Sequence, residues 1–204
     1  MGERDIEIKA IKLGLLGDSR VGKSAICQAF TGLEFVSQGM TTIGSDKFEK
    51  KIQLKNGKGI KLIVWDTAGQ ERFRSAAFQT IKSVHGIVLV FDVSCKESFD
   101  NINLWLNDIK ENFDDPCLIL FGNKTDKPKE EWQITEEEIN SFIKKTNLAY
   151  YATSAKLNKG INEGFAHIAN DAFVKIEKSK KKPGEDNINI NINDMKKQNK
   201  KKCC

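Results

Sequence analysis

The residues best suited to chemistry form one short run, Gly17-Asp18-Ser19-Arg20-Val21-Gly22-Lys23-Ser24, of the form G-x-x-x-x-G-K-[ST]. Glycines let successive backbone N–H groups turn inward around an anion. A helix opening behind them adds unpaired N–H groups and the positive end of its dipole. Lys23 is long enough to reach the β- and γ-phosphates of a nucleotide, and the Ser24 hydroxyl is a Mg²⁺ ligand. A pattern this short also occurs by chance. Context decides here: the apolar run Ile11–Leu16 precedes it, and the helix-compatible Ala25–Phe30 follows. Strand, turn and helix are the setting a phosphate loop needs.

Four further stretches suit the same ligand. Asp66-Thr67-Ala68-Gly69-Gln70 ends an apolar run. An Asp there can hold Mg²⁺ through water, Gly69 allows close approach to a terminal phosphate, and Gln70 can orient an attacking water. Alone, such a run is most often a turn; the upstream loop gives it weight. Asn123-Lys124-Thr125-Asp126 ends another apolar run. A carboxylate there can accept from the N1–H and exocyclic amine of guanine, a donor pair that adenine lacks. Ser154-Ala155-Lys156 can offer a backbone N–H to a base carbonyl, a weak signal by itself. The Thr42 hydroxyl, in a polar segment after the first helix, could complete a Mg²⁺ shell when a γ-phosphate is present.

The elements that must position these groups alternate along the chain. Strands are expected at 9–16, 46–54, 60–65, 86–91, 117–121 and 149–153. Asn56-Gly57 signals a hairpin between the second and third, which therefore pair antiparallel. Helices are expected at 23–31, ending at Gly32, and at 72–83. A third is expected at 98–113, with Phe99, Ile102, Leu106 and Ile109 on one stripe. Thr135 and Glu138 have the spacing of a capping box, and Gly160–Lys178 reads as the last helix. Apolar strands separated by amphipathic helices predict an α/β fold. The sheet is mostly parallel, with one antiparallel edge strand and helices on both faces.

The whole chain has 204 residues, enough for one domain with a sizeable core plus a tail. The net charge of +5 resides largely in a low-complexity C-terminal stretch carrying Lys180–Lys182 and Lys196-Lys197-Gln198-Asn199-Lys200-Lys201-Lys202. Nucleic acid is therefore not an expected partner. Expected boundaries are an N-terminal tail at 1–8, the domain at 9–177 and a disordered basic tail at 178–204. Cys27, Cys95 and Cys117 lie in or beside apolar runs without C-x-x-C spacing, and read as buried thiols of a reducing compartment. The N-terminus lacks a secretory h-region, and Ile6 stands where myristoylation wants Ser or Thr. His85 and His167 read as structural residues.

In order and spacing, residues 17–24, Thr42, 66–70, 123–126 and 154–156 resemble the five nucleotide motifs of Ras-superfamily small GTPases. The resemblance covers about residues 9–177. Trp65–Phe73 and the terminal Cys203-Cys204 are similar specifically to the Rab family. The resemblance implies the P-loop NTPase small G domain with a six-stranded sheet. It also implies a Mg²⁺-dependent GDP/GTP switch that recruits effectors in membrane trafficking. Nucleotide contacts would come from Ser19, Arg20, Val21, Gly22, Lys23, Ser24, Ala25, Phe35, Thr42, Gly69, Asn123, Lys124, Asp126, Ser154, Ala155 and Lys156. Phe35 would stack beside the guanine. Ser24, Thr42 and, through water, Asp66 would serve the metal, and Gln70 the hydrolysis. Switch segments would span about 33–45 and 68–82. Expected partners are an exchange factor, an activating protein, a prenylation escort protein, a GDP-dissociation inhibitor and effectors of unknown identity. Lipids on Cys203 and Cys204 would anchor the chain to the cytoplasmic face of an intracellular or plasma membrane, cycling with the cytosol; two lipids anchor stably where one does not.

The pattern is broken in places. Lys47 stands where Rab proteins usually carry an aromatic, with Phe48 one residue late and so on the opposite face of its strand. Thr80-Ile81 replaces two customary tyrosines. Arg20 stands where a small residue is favoured, and altered nucleotide release is expected from it. Two other readings compete. One is a nucleotide-loaded scaffold with negligible turnover, opposed by Gln70 and Thr42. The other is a Ras- or Rho-type signalling GTPase, opposed by the Cys203-Cys204 ending and the 65–73 run.

Overall fold

A computed structural model describes residues 10–34, 45–68 and 74–180. The strands are β1 (Ala10–Leu16), β2 (Ser45–Gln53), β3 (Gly59–Thr67), β4 (Gly86–Asp92), β5 (Cys117–Asn123) and β6 (Ala149–Ala152). They form one six-stranded sheet in the order β2-β3-β1-β4-β5-β6. Only the β2–β3 pair is antiparallel; β1–β3, β1–β4, β4–β5 and β5–β6 are parallel. The expected sheet is the observed one. At the hairpin, Gly57 takes φ 82° and donates to the Leu54 carbonyl at 2.9 Å, so the Asn-Gly turn sits where expected.

Helices α1 (Lys23–Thr31), α2 (Arg74–Thr80), α3 (Lys96–Asp100), α4 (Ile102–Asn112), α5 (Glu136–Thr146) and α6 (Ile161–Lys180) cover the two faces. Side-chain alternation on β4 shows why its whole run is apolar. Val88 and Val90 join the cluster built with Ile26, Phe30, Phe165 and Ile168 of α1 and α6. Ile87, Leu89 and Phe91 join Ala77, Phe99, Ile102, Trp105 and Ile139 on the other face. A strand buried on both faces has no polar side to show.

The single helix expected at 98–113 is two. Helix α3 ends at Asp100 and α4 begins at Ile102, and between them Asn101 donates its N–H to the Glu97 carbonyl at 2.9 Å while its own carbonyl accepts from both Leu104 at 3.0 Å and Trp105 at 3.1 Å. Trp105, fully buried, takes the core position given to Leu106 by the sequence pattern, and Leu106 only packs at its margin. Cys95 and Cys117 are half-buried rather than buried, because each lies at the start of its element; Cys27 is buried, and all three are free thiols. Ile81 is fully buried against Gly14, so it belongs to the core and not to an exposed patch. The Thr135–Glu138 capping box is complete: Glu138 N–H donates to Thr135 Oγ1 at 3.1 Å and Thr135 N–H to Glu138 Oε2 at 2.8 Å. Among the described residues, no helix is long and apolar enough to cross a membrane.

Candidate functional site

Because β1, β3, β4, β5 and β6 run parallel, Leu16, Thr67, Asp92, Asn123 and Ala152 end at one edge of the sheet. Ligands of open α/β sheets bind beyond that edge. The loop after β1 starts at Gly17 (φ 145°), where a Cβ would fall 2.2 Å from the Val90 carbonyl oxygen. It ends at Gly22 (φ 100°), where a Cβ would meet Asn123 Nδ2 at 2.4 Å. Both positions therefore exclude a side chain. Within α1, Ile26 N–H takes the Gly22 carbonyl at 2.9 Å. The N–H groups before it have no partner inside the helix. The first turn of α1 carries no acidic residue to compete for them.

Lys23 is buried, and its ammonium donates to the carbonyls of Gly17 and Asp18, both at 2.8 Å. Burial pulls its pKa down to about 8, against the opposing pull of Asp66 and Asp18. The Ser24 hydroxyl donates to Asp66 Oδ2 at 2.6 Å, joining the start of α1 to the end of β3. Asp66 is fully buried.

Asn123 ends β5 almost fully buried. Its amide donates to the Val21 carbonyl at 2.9 Å, and its Oδ1 accepts from Ala155 N–H at 3.3 Å. Lys124, at φ 67°, donates to the Arg20 carbonyl at 2.8 Å and pairs with Asp92 Oδ2 at 2.7 Å. Ser154 Oγ donates to Asp126 Oδ1 at 2.6 Å, which fixes that carboxylate at the rim. Two stretches about 100 residues apart are thus stitched into one cradle, with 154–156 beside them.

Asp92, Asp18, Asn101 and Trp105 were not singled out by the motifs. Asp92 closes an apolar strand run at its carboxyl end, which is a usable signal. The roles of the other three depend on contacts between distant segments. Arg20 is exposed at φ 65°. Phe35, Thr42, Gly69, Gln70, Cys203 and Cys204 lie outside the described residues. No group of three or more His, Cys, Asp or Glu side chains gathers as a protein-only metal site among the described residues.

A six-stranded sheet of this order with a glycine-bounded loop after β1 is the small G-domain form of the P-loop fold. The profile of the Ras family matches residues 12–174. The Ras-related protein RABE1e of Arabidopsis thaliana is 35% identical, covering 95% of this chain and 92% of its own length. The GTP-binding protein ypt3 of Schizosaccharomyces pombe is 34% identical over 95% of both. The Ras-related protein RAB1BV of Beta vulgaris is 40% identical, over 79% of this chain and 75% of its own. The chain belongs to the Ras family of small GTPases, in its Rab and Ypt group. It is a Rab-like GTPase whose ligands are GTP and GDP.

Proposed function

We propose that the cradle formed by residues 17–24, 66–68, 123–126 and 154–156 holds guanine nucleotide, and that the chain is a membrane-trafficking switch with slow intrinsic turnover. The observation that carries this reading is the pair of bonds from Asn123 to Val21 and from Lys124 to Arg20. They lock a base-reading segment onto a phosphate-reading one. Asp126, held by Ser154, would take the guanine N1–H and amine. Lys23 would turn its ammonium from two carbonyls to phosphate oxygens, and the α1 N–H groups would cap the same anion.

Ser24 and Asp66 supply a hydroxyl and a carboxylate oxygen within 2.6 Å, hard donors that suit Mg²⁺. These residues would hold the ion, Asp66 through water, with Thr42 completing the set. When bound, it neutralises charge on the β- and γ-phosphates. Gln70 would position the attacking water. An arginine from an activating protein would speed hydrolysis by roughly 10³–10⁵. Phe35 would stack on the base. Lipids on Cys203 and Cys204 would tether the chain to the cytoplasmic face of a membrane, two chains giving stable anchoring. The lysines of residues 180–202 would add attraction to anionic lipid. An exchange factor, an activating protein, a prenylation escort protein and a GDP-dissociation inhibitor are the expected regulators.

Single-turnover hydrolysis of γ-labelled GTP by the parent and by Gln70→Leu tests the chemistry. Slow release of phosphate by the parent, and slower release by the variant, are expected. Equal rates would remove Gln70 from the mechanism. Imaging the tagged chain with and without Cys203 and Cys204 tests the anchor; membrane localisation that survives loss of both cysteines would refute it.

A further inference from the structure

Asp18 uses its two ends for different work. Its backbone carbonyl accepts from Lys23, as above, while its side chain turns toward α4. Oδ2 accepts from Asn101 Nδ2 at 2.7 Å, and Oδ1 accepts from Trp105 Nε1 at 2.8 Å. Trp105 is fully buried, so its position is set by packing as well as by this bond. Its ring lies edge-on to Phe78 of α2, with centroids 6.2 Å apart and planes at 61°. Phe78 also meets Phe113 at the end of α4, at 5.8 Å and 63°. Helix α2 is held to the sheet through Ala77 and, just beyond it, Ile81.

We propose that Trp105 is a positioning residue that couples the phosphate loop to α2: its indole N–H fixes the loop through Asp18, and its ring edge fixes α2 through Phe78. Helix α2 begins four residues after Gln70 and directly follows the stretch that would meet the γ-phosphate. A shift of α2 moves Phe78, which changes how Trp105 sits and therefore how Asp18 is held. Because the carbonyl of Asp18 also takes Lys23, that shift reaches the ammonium beside the phosphates. Coupling of this kind is reciprocal: whatever the γ-phosphate does to α2, the placement of α2 does to nucleotide retention. The inference rests on assigning residues 17–24 to the phosphates.

The experiment measures dissociation of fluorescent GDP and of a fluorescent non-hydrolysable GTP analogue from the full chain. Phe78→Leu touches no residue of the phosphate loop. Trp105→Phe keeps an aromatic ring facing Phe78 and removes the indole N–H together with the pyrrole half of the ring. Each variant, and the double, is checked to be fully folded at the assay temperature, since shrinking a buried aromatic lowers the melting temperature in any case. We expect Phe78→Leu to speed release of the GTP analogue at least threefold, with a smaller effect on GDP. A purely structural role would change both alike. We also expect the double variant to match the stronger single one, since both cut one linkage. Unchanged off-rates for Phe78→Leu, equal changes for the two nucleotides, or effects that multiply in the double would overturn the coupling. Lys23→Ala separates this from the assignment beneath it. Loss of nucleotide by Lys23→Ala upholds the phosphate assignment, so a silent Phe78→Leu then overturns the coupling alone. Nucleotide retained by Lys23→Ala overturns both.

Discussion

Asn123 donates its side-chain amide to the Val21 carbonyl at 2.9 Å, so the end of β5 holds the phosphate loop directly. The same side chain accepts the Ala155 N–H, and only 1% of it is exposed. Leucine at this position is similar in size but leaves that carbonyl and that N–H buried without partners. Each such orphan costs about 1–3 kcal/mol. We expect Asn123→Leu to lower the melting temperature and to speed GDP release by at least about tenfold, the equivalent of ~1.4 kcal/mol. Displacement of fluorescent GDP by excess unlabelled nucleotide gives the rate. A parent-like rate would mean that the stitch between the two segments does not hold the nucleotide.

The legible parts of this fold are those in which one short stretch contains its own cause. Gly32 stops α1 in the left-handed region at φ 83°, as a C-terminal glycine does. The phosphate loop is likewise local, since its two glycines and its helix start are consecutive. What the pattern could not show is which side chains meet across the fold. Leu106 and Trp105 both suit a helical stripe, and only the approach of Asp18 and Phe78 decides that Trp105 faces inward. The break at Asn101 was hidden for the same reason, because its side chain is turned toward Asp18, 83 residues away. Phe48 shows the opposite case. Its one-residue displacement from the customary aromatic position reversed its face as strand periodicity requires. It packs with the cluster beneath α1 and α6, and Lys47 is exposed.

The capping box on α5 provides a stability test remote from the phosphate loop. Thr135 and Glu138 satisfy each other's backbone N–H groups, so neither depends on a distant partner. Thr135→Ala removes one acceptor and is expected to cost about 1 kcal/mol. Urea unfolding measures it through a lower midpoint at unchanged slope. No loss would show that water replaces the cap without penalty.

Arg20 joins an unfavourable backbone to an exposed cation. A non-glycine residue in the left-handed region carries a cost of about 1–2 kcal/mol, and alanine would bear it as arginine does. Glycine escapes it but adds about 0.4–1 kcal/mol of unfolded-chain entropy. Arg20→Gly is therefore expected to be more stable than Arg20→Ala by several tenths of a kcal/mol to about 1 kcal/mol. Both variants lose a cation near the proposed phosphate site, so both should release GDP faster than the parent, and less so in high salt. Equal GDP off-rates in the parent and both variants would show that the side chain plays no part in nucleotide retention.

His85 gives the fold a pH dependence separate from the nucleotide site. Lys12 N–H donates to His85 Nδ1 at 2.9 Å, and His85 N–H donates to the Lys12 carbonyl at 2.8 Å. These two bonds close the gap between β1 and the start of β4. A donor aimed at Nδ1 requires a lone pair there, so the proton of the neutral ring sits on Nε2. Burial lowers the pKa of His85 below the usual 6.5, and the ammonium groups of Lys12 and Lys180 push the same way. The native state therefore favours the neutral ring more than the unfolded chain does. Below pH 6.5 the unfolded chain binds the extra proton first, so stability declines as pH falls from there through the lowered native value. Above 6.5 both states are neutral and the contribution is constant. Asparagine can present an amide oxygen near the place of Nδ1 and does not titrate. His85→Asn should thus have a flatter stability curve than the parent as pH falls below about 6.5, because titrations elsewhere are common to both proteins and cancel in the difference. Urea midpoints at closely spaced pH values give the two curves. If they run parallel there, the Lys12–His85 bond does not distinguish the neutral ring from the charged one.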